Sequence, residues 1–89
     1  MKIVYSSQFK KDYKKVKKQN KDIGKLSVVI DKLAAQERLD AKHRDHPLSG
    51  NWKGFRDCNL DPDWILIYQA SEDKLILART GSHAELFKT

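Results

Sequence analysis

DWILIYQASEDKLILAR, Asp63 to Arg79, is the stretch whose reading decides the fold. Asp63 to Gln69 is a strongly apolar run rich in β-branched and aromatic residues, and it reads as a strand. Ser71, Glu72 and Asp73 make a turn, and Lys74 to Arg79 (KLILAR) returns as a second strand. Immediately upstream, Trp52 to Leu60 (WKGFRDCNL) reads as a third, joined through a turn at Asp61 and Pro62. Three short strands with tight turns form an antiparallel meander.

Working outward, residues 37–51 (ERLDAKHRDHPLSGN) have no regular periodicity and contain Pro47 and Gly50, so they read as the longest loop. Before them, Ile23, Leu26, Ile30 and Leu33 recur at helical spacing, with Gly24 near the start. Asn20, Lys21 and Asp22 break this helix from an earlier one, in which Phe9, Tyr13 and Val16 form one apolar stripe. Ser6 and Ser7 offer its cap, and Met1 to Tyr5 reads as a strand. Thr80 to Thr89 holds a short helical turn around Ala84 to Phe87. The order is β-α-α-β-β-β, an α+β fold with a two-helix hairpin packed on one face of a small antiparallel sheet. No repeat, linker or low-complexity tract interrupts residues 1–89, so a single domain is expected.

The 89 residues carry a net charge of +6, very unevenly placed. Residues 1–35 hold ten lysines against Asp12, Asp22 and Asp31, a surplus of +7, whereas residues 36–89 sum to −1. Lysine without arginine suits sequence-blind attraction to phosphates, because an ammonium lacks the bidentate fork of a guanidinium. A nucleic-acid partner is expected, through exposed lysines such as Lys10, Lys11 and Lys14; the plainer alternative is a helix face kept soluble by charge. No apolar run is long enough to cross a membrane, and the one cysteine, Cys58, has no internal partner, so a cytoplasmic protein is expected.

Chemistry is sought among three histidines. His46 lies in the long loop and His83 in the polar turn after the last strand, both off the apolar stripes. Imidazoles exchange protons near neutrality and can work as an acid–base pair if the fold unites them. His43 and His46, with nearby aspartates, give a zinc alternative, weakened by Arg44 between them and by the lack of a cysteine partner. Asp57 and Asp63 are carboxylates near a sheet face that need partners, and Arg56 and Arg79 are the obvious ones. Arg79, ending a strand just before His83, could clamp a phosphate. Phe87 either seals the core or offers a ring on which a nucleobase stacks.

Two stretches complete the pattern: Asp45-His46-Pro47-Leu48-x-Gly50-x-Trp52-Lys53-Gly54-x-Arg56-Asp57, and Arg79-Thr80-Gly81-Ser82-His83-Ala84-x-Leu86-Phe87. With Pro62 to Tyr68 between them, the chain resembles the YafQ branch of the RelE toxin superfamily. The resemblance implies a type II toxin: a metal-independent endoribonuclease, needing no cofactor, that cuts messenger RNA in the ribosomal A site. It further implies an acidic, DinJ-like antitoxin as partner, contact with DNA only through that antitoxin, and two helices on a curved antiparallel sheet. The family's site positions fall on His46, Asp63, Trp64, His83 and Phe87, with Arg79 nearby. Trp64, Phe87, Asn59, Arg56 and Lys53 are expected to touch RNA. One position departs from the pattern: Asn59 stands where related toxins often carry a histidine. Asparagine holds RNA or water but exchanges no proton at neutral pH.

The expected mechanism gives proton transfer to His46 and His83, an orienting role to Asp63, charge stabilisation to Arg79 and base positioning to Phe87. Alternatives are a toxin of reduced activity and a non-catalytic basic RNA-binding or ribosome-binding module. A DNA-binding regulator lacks its helix-turn-helix signature.

Overall fold

The chain begins with strand β1 (Lys2–Tyr5) and then enters helix α1 (Ser7–Lys18), where the Ser6 hydroxyl accepts a bond from the Phe9 amide. Helix α2 (Ile23–Ala34) is capped in the same way by Asp22, which accepts from the Gly24 amide. The remaining elements are β2 (His46–Pro47), β3 (Arg56–Asp61), β4 (Trp64–Ala70), β5 (Lys74–Gly81) and α3 (His83–Phe87). The structure, a computed structural model, describes residues 1–87; the last two positions of the expected domain lie outside the described residues.

The α+β architecture and the meander stand as expected, but the sheet is mixed. Its order is β1-β5-β4-β3-β2, and β1 runs parallel to β5, with Lys2 opposite Lys74 and Tyr5 opposite Leu77. A helix follows β1 directly, so it has no neighbour in sequence with which to form a hairpin. Its place is the edge that β5 leaves open. The long loop also contributes to the sheet. His46 and Pro47 pair with Asp57 and Arg56 as a two-residue edge strand, the position in which proline's missing N–H costs no ladder bond. One-turn 3-10 helices at Ala41–His43 and Gly50–Trp52 flank β2. The strand expected from Trp52 therefore starts only at Arg56. Gly54, at φ +92°, turns the chain there, and Trp52 folds against Phe55 with ring centroids 5.4 Å apart.

Both faces of the sheet are covered. Phe9 and Val16 of α1 and Leu26, Val29 and Leu33 of α2 pack on Cys58, Trp64, Leu66, Tyr68, Leu75 and Leu77. Ile65, Ile67 and Ala78 face the other way, beneath Leu86, Leu48, Trp52, Phe55 and Phe87. That double cover explains the unbroken apolar run of β4, every residue of which is buried from Trp64 to Tyr68. Tyr13, Ile23 and Ile30 of the expected helix stripes are only partly buried, while Val29 joins the core.

Between β4 and β5 the register slips: Ile67 opposes Arg79, yet Tyr68 opposes Leu77. Ala78 is thus an extra residue in the strand. In unbroken alternation Arg79 would share the helix-side face with Leu77; the slip at Ala78 turns it to the opposite side. Beyond the end of β1 the edge of β5 is closed by α1 instead. The Thr80 amide donates to Asp12 and the Ser6 hydroxyl to the Ala78 carbonyl.

Candidate active site

The sheet face away from α1 and α2 carries the polar side chains. Asp57 lies opposite His46 in β2 and Ile67 in β4, so the three share this face, and Asn59 follows two residues along the same strand. Asp57 is only 3% exposed. His46 Nδ1 lies 3.1 Å from Asp57 Oδ1 and 2.7 Å from the carbonyl of Arg44. One ring proton serves one acceptor, and the closer carbonyl takes it. Asp57 Oδ1 is consequently buried without a hydrogen bond. Arg44 adopts a left-handed conformation, φ 47°, between the 3-10 turn and β2.

Burial pushes the Asp57 carboxyl above its usual range, while His46 and His83 both pull it back. The two imidazoles, 37 positions apart in the chain, therefore act on one carboxyl group. His83 opens α3 and is exposed; its Nδ1 lies 3.1 Å from Asp63 Oδ1, the same oxygen that accepts its backbone amide at 3.2 Å. These bonds from His83, aided by the charge of Lys21, hold Asp63 below the ordinary carboxylate range. With Nδ1–H donated to Asp63, the free Nε2 of His83 becomes a proton acceptor. Phe87 lies one helical turn on, its ring 6.3 Å from that of His83.

The carboxylates expected to pair with arginines pair with histidines instead. Strand pleating explains Arg56, which projects to the face of Tyr68 rather than that of Asp57. There its Nε donates to Asp45 at 3.1 Å, and the Tyr68 hydroxyl donates to the same oxygen at 2.6 Å. Arg79 closes its fork on Asp12 of α1, with Nε and one terminal nitrogen each 3.0 Å from a carboxylate oxygen. A phosphate clamp by this fork is thus replaced by a brace between α1 and β5. Trp64 requires correction too. It is 1% exposed and donates its indole N–H to Thr80 Oγ1 at 2.8 Å, so it belongs to the core and offers RNA no ring.

Asn59 is half-buried on the polar face, and its carbonyl accepts from His43 Nδ1 at 2.6 Å. His43 is thereby tied to the edge of β3. Among the described residues no three His, Cys, Asp or Glu side chains gather closely enough to hold a metal ion. Beside Asn59 opens a groove of about 840 Å³ of mixed charge, lined by Lys25, Lys32, Lys42 and Arg44 together with Asp22, Asp40 and Asp61. Lys53, Lys10, Lys11 and Lys14 are exposed. No described helix is long and apolar enough to cross a membrane.

The sequence singled out Asp57 only as a carboxylate in need of a partner. An acid in mid-strand, between Arg56 and Cys58, was the visible signal; its pairing across to the two-residue β2 was not visible.

Residues 1–88 match the family described as the bacterial toxin of type II toxin–antitoxin systems, YafQ. The mRNA interferase toxin YafQ of Escherichia coli K12 is 46% identical over 86 residues, covering 96% of this chain and 94% of that protein. The crystal structure of YafQ from E. coli BL21(DE3) superposes with a TM-score of 0.93 at 45% identity, covering 96% of each chain. In the E. coli DinJ–YafQ complex a similar chain, 46% identical, superposes at 0.89 with 96% of each chain covered.

Proposed function

The chain belongs to the YafQ family of type II toxins, and from that premise we propose that it is an mRNA interferase that cuts messenger RNA in the ribosomal A site. RNA supplies the nucleophile, the 2′-OH next to the scissile phosphate. Cutting then needs a base for that proton, an acid for the 5′-oxygen that leaves, and positive charge around the pentacoordinate transition state. His46 and His83 are the two proton carriers, and no metal is required for these transfers. Asp63 orients His83, and Asp57 lies within the influence of both rings and favours the imidazolium that forms at either. Arg79 contributes charge through the terminal nitrogen not engaged by Asp12. Phe87 stacks on a base, and Asn59 holds the RNA or a water through its amide.

What supports this reading is the placement of each ring against a carboxylate, His46 Nδ1 3.1 Å from Asp57 Oδ1 and His83 Nδ1 3.1 Å from Asp63 Oδ1, with both rings drawing the Asp57 carboxyl downward. The exposed lysines of α1 would grip ribosomal RNA and cut nothing. An acidic antitoxin, in the place that DinJ takes in the E. coli toxin–antitoxin complex, would neutralise the toxin by covering this cationic surface.

Primer extension on a translated message tests the assignment. His83→Ala and His46→Ala should each lower cutting at mapped codons by about 100-fold or more. Undiminished cutting by both variants would remove these rings from the mechanism. A stalled message with no new 5′ ends, even with the unaltered protein, would favour the non-catalytic ribosome-binding reading.

A further inference from the structure

Helix α3 spans only His83–Phe87, too short to hold its own direction in water. Its start is fixed by a reciprocal pair: the Ser82 amide donates to Glu85 Oε1, and the Glu85 amide donates to Ser82 Oγ, each at 3.1 Å. The other oxygen, Oε2, accepts from Lys15 of α1. We propose that Glu85 is a positioning residue, which locks α3 to the lysine-rich helix and thereby fixes His83 against Asp63 and Phe87 over the site. The inference rests on the nuclease reading above.

Three observations converge on it. The two oxygens of Glu85 have separate tasks, one organising the helix start and one tying it to α1. Gly81 permits the approach, since a Cβ there would stand 3.3 Å from Glu85 Oε1 and 3.4 Å from Leu86 Cδ2. The α1 side is anchored one turn earlier as well, where Asp12 grips Arg79 and the Thr80 amide. Lys15 and Asp12 thus hold the segment from Arg79 to Glu85 at two points. The amide of His83, next after that of Ser82, is the one given to Asp63. A change in the direction of α3 therefore shifts the ring and the amide of His83 together. Lys15, alone among the α1 lysines, is committed to a described carboxylate.

The test uses the full chain with Glu85→Gln, Glu85→Ala and Lys15→Met. Single-turnover cutting of a ribosome-bound message is read beside a carboxyl NMR titration of Asp63. Glu85→Ala loses both tasks, and its kcat should fall about tenfold with KM within about twofold. In that variant the Asp63 titration should move up toward the ordinary carboxylate range. Glu85→Gln keeps an acceptor for the Ser82 amide and should restore most of the rate and the low Asp63 titration; Lys15→Met should fall between. The proposal is overturned if Glu85→Ala cuts at the unaltered rate, or if it slows while Asp63 titrates as before. Should the unaltered protein not cut at all, the nuclease reading fails, and the Asp63 titration alone still decides whether Glu85 positions His83.

Discussion

Asp57 concentrates the conflict between stability and chemistry in one side chain. Its folded pKa is raised by burial, so the ionised form lowers stability at neutral pH, and stability recovers as the pH falls through that raised value. We expect Asp57→Asn to raise the neutral-pH Tm and to lose that advantage in acid. Cutting by the same variant should drop about tenfold or more. A lower Tm at neutral pH would contradict this assignment. Trp64 makes the opposite case. Trp64→Phe removes the bond to Thr80 and should cost about 1–2 kcal/mol in denaturant melts, with the KM for ribosome-bound message unchanged. His46, His83 and Asp63 were legible because they are polar residues off the apolar stripes. The partners of Asp57 and Arg56 were not, because adjacent residues of a strand face opposite ways and the chain order conceals which neighbour lies across.

Among elements, β4 could be read from its unbroken apolar run and the two amphipathic helices from their periodicity, because one residue pattern dictates each. The parallel placement of β1 could not, since it depends on which sheet edge the finished meander leaves vacant. The extra residue Ala78 was equally hidden: KLILAR alternates well enough to put Leu75, Leu77 and Arg79 on one face, and only the slipped pairing turns Arg79 away. The tie between α1 and α3 makes a prediction of its own. Lys15 and the Ser82 amide hold Glu85 down to about 2, against an ordinary value of 4.5. Its stabilising contribution is therefore complete above the unfolded value and is lost as the pH falls from about 4.5 toward 2. Urea melts across that window should show the unaltered chain losing stability relative to Glu85→Gln. Parallel curves would mean that the ion pair is screened by solvent.

For the whole molecule, charge and chemistry divide along the chain. The +7 surplus belongs to residues 1–35, while both imidazoles and their carboxylates come from the near-neutral remainder. Binding and cutting should accordingly separate. Replacing Lys10, Lys11 and Lys14 together with alanine should weaken ribosome binding and flatten its log–log salt dependence by about 2, leaving the single-turnover rate at saturation unchanged. A slower rate at saturation would place these lysines in the chemistry. The central claim is that the RNA's own 2′-hydroxyl is the nucleophile, driven by His46 and His83. A ribosome-bound message carrying one 2′-deoxynucleotide at the mapped cut tests it most directly. We expect the all-ribose message to be cut to a 5′-hydroxyl fragment and the deoxy-substituted one to stay intact at that position. Equal cutting of both would contradict the mechanism.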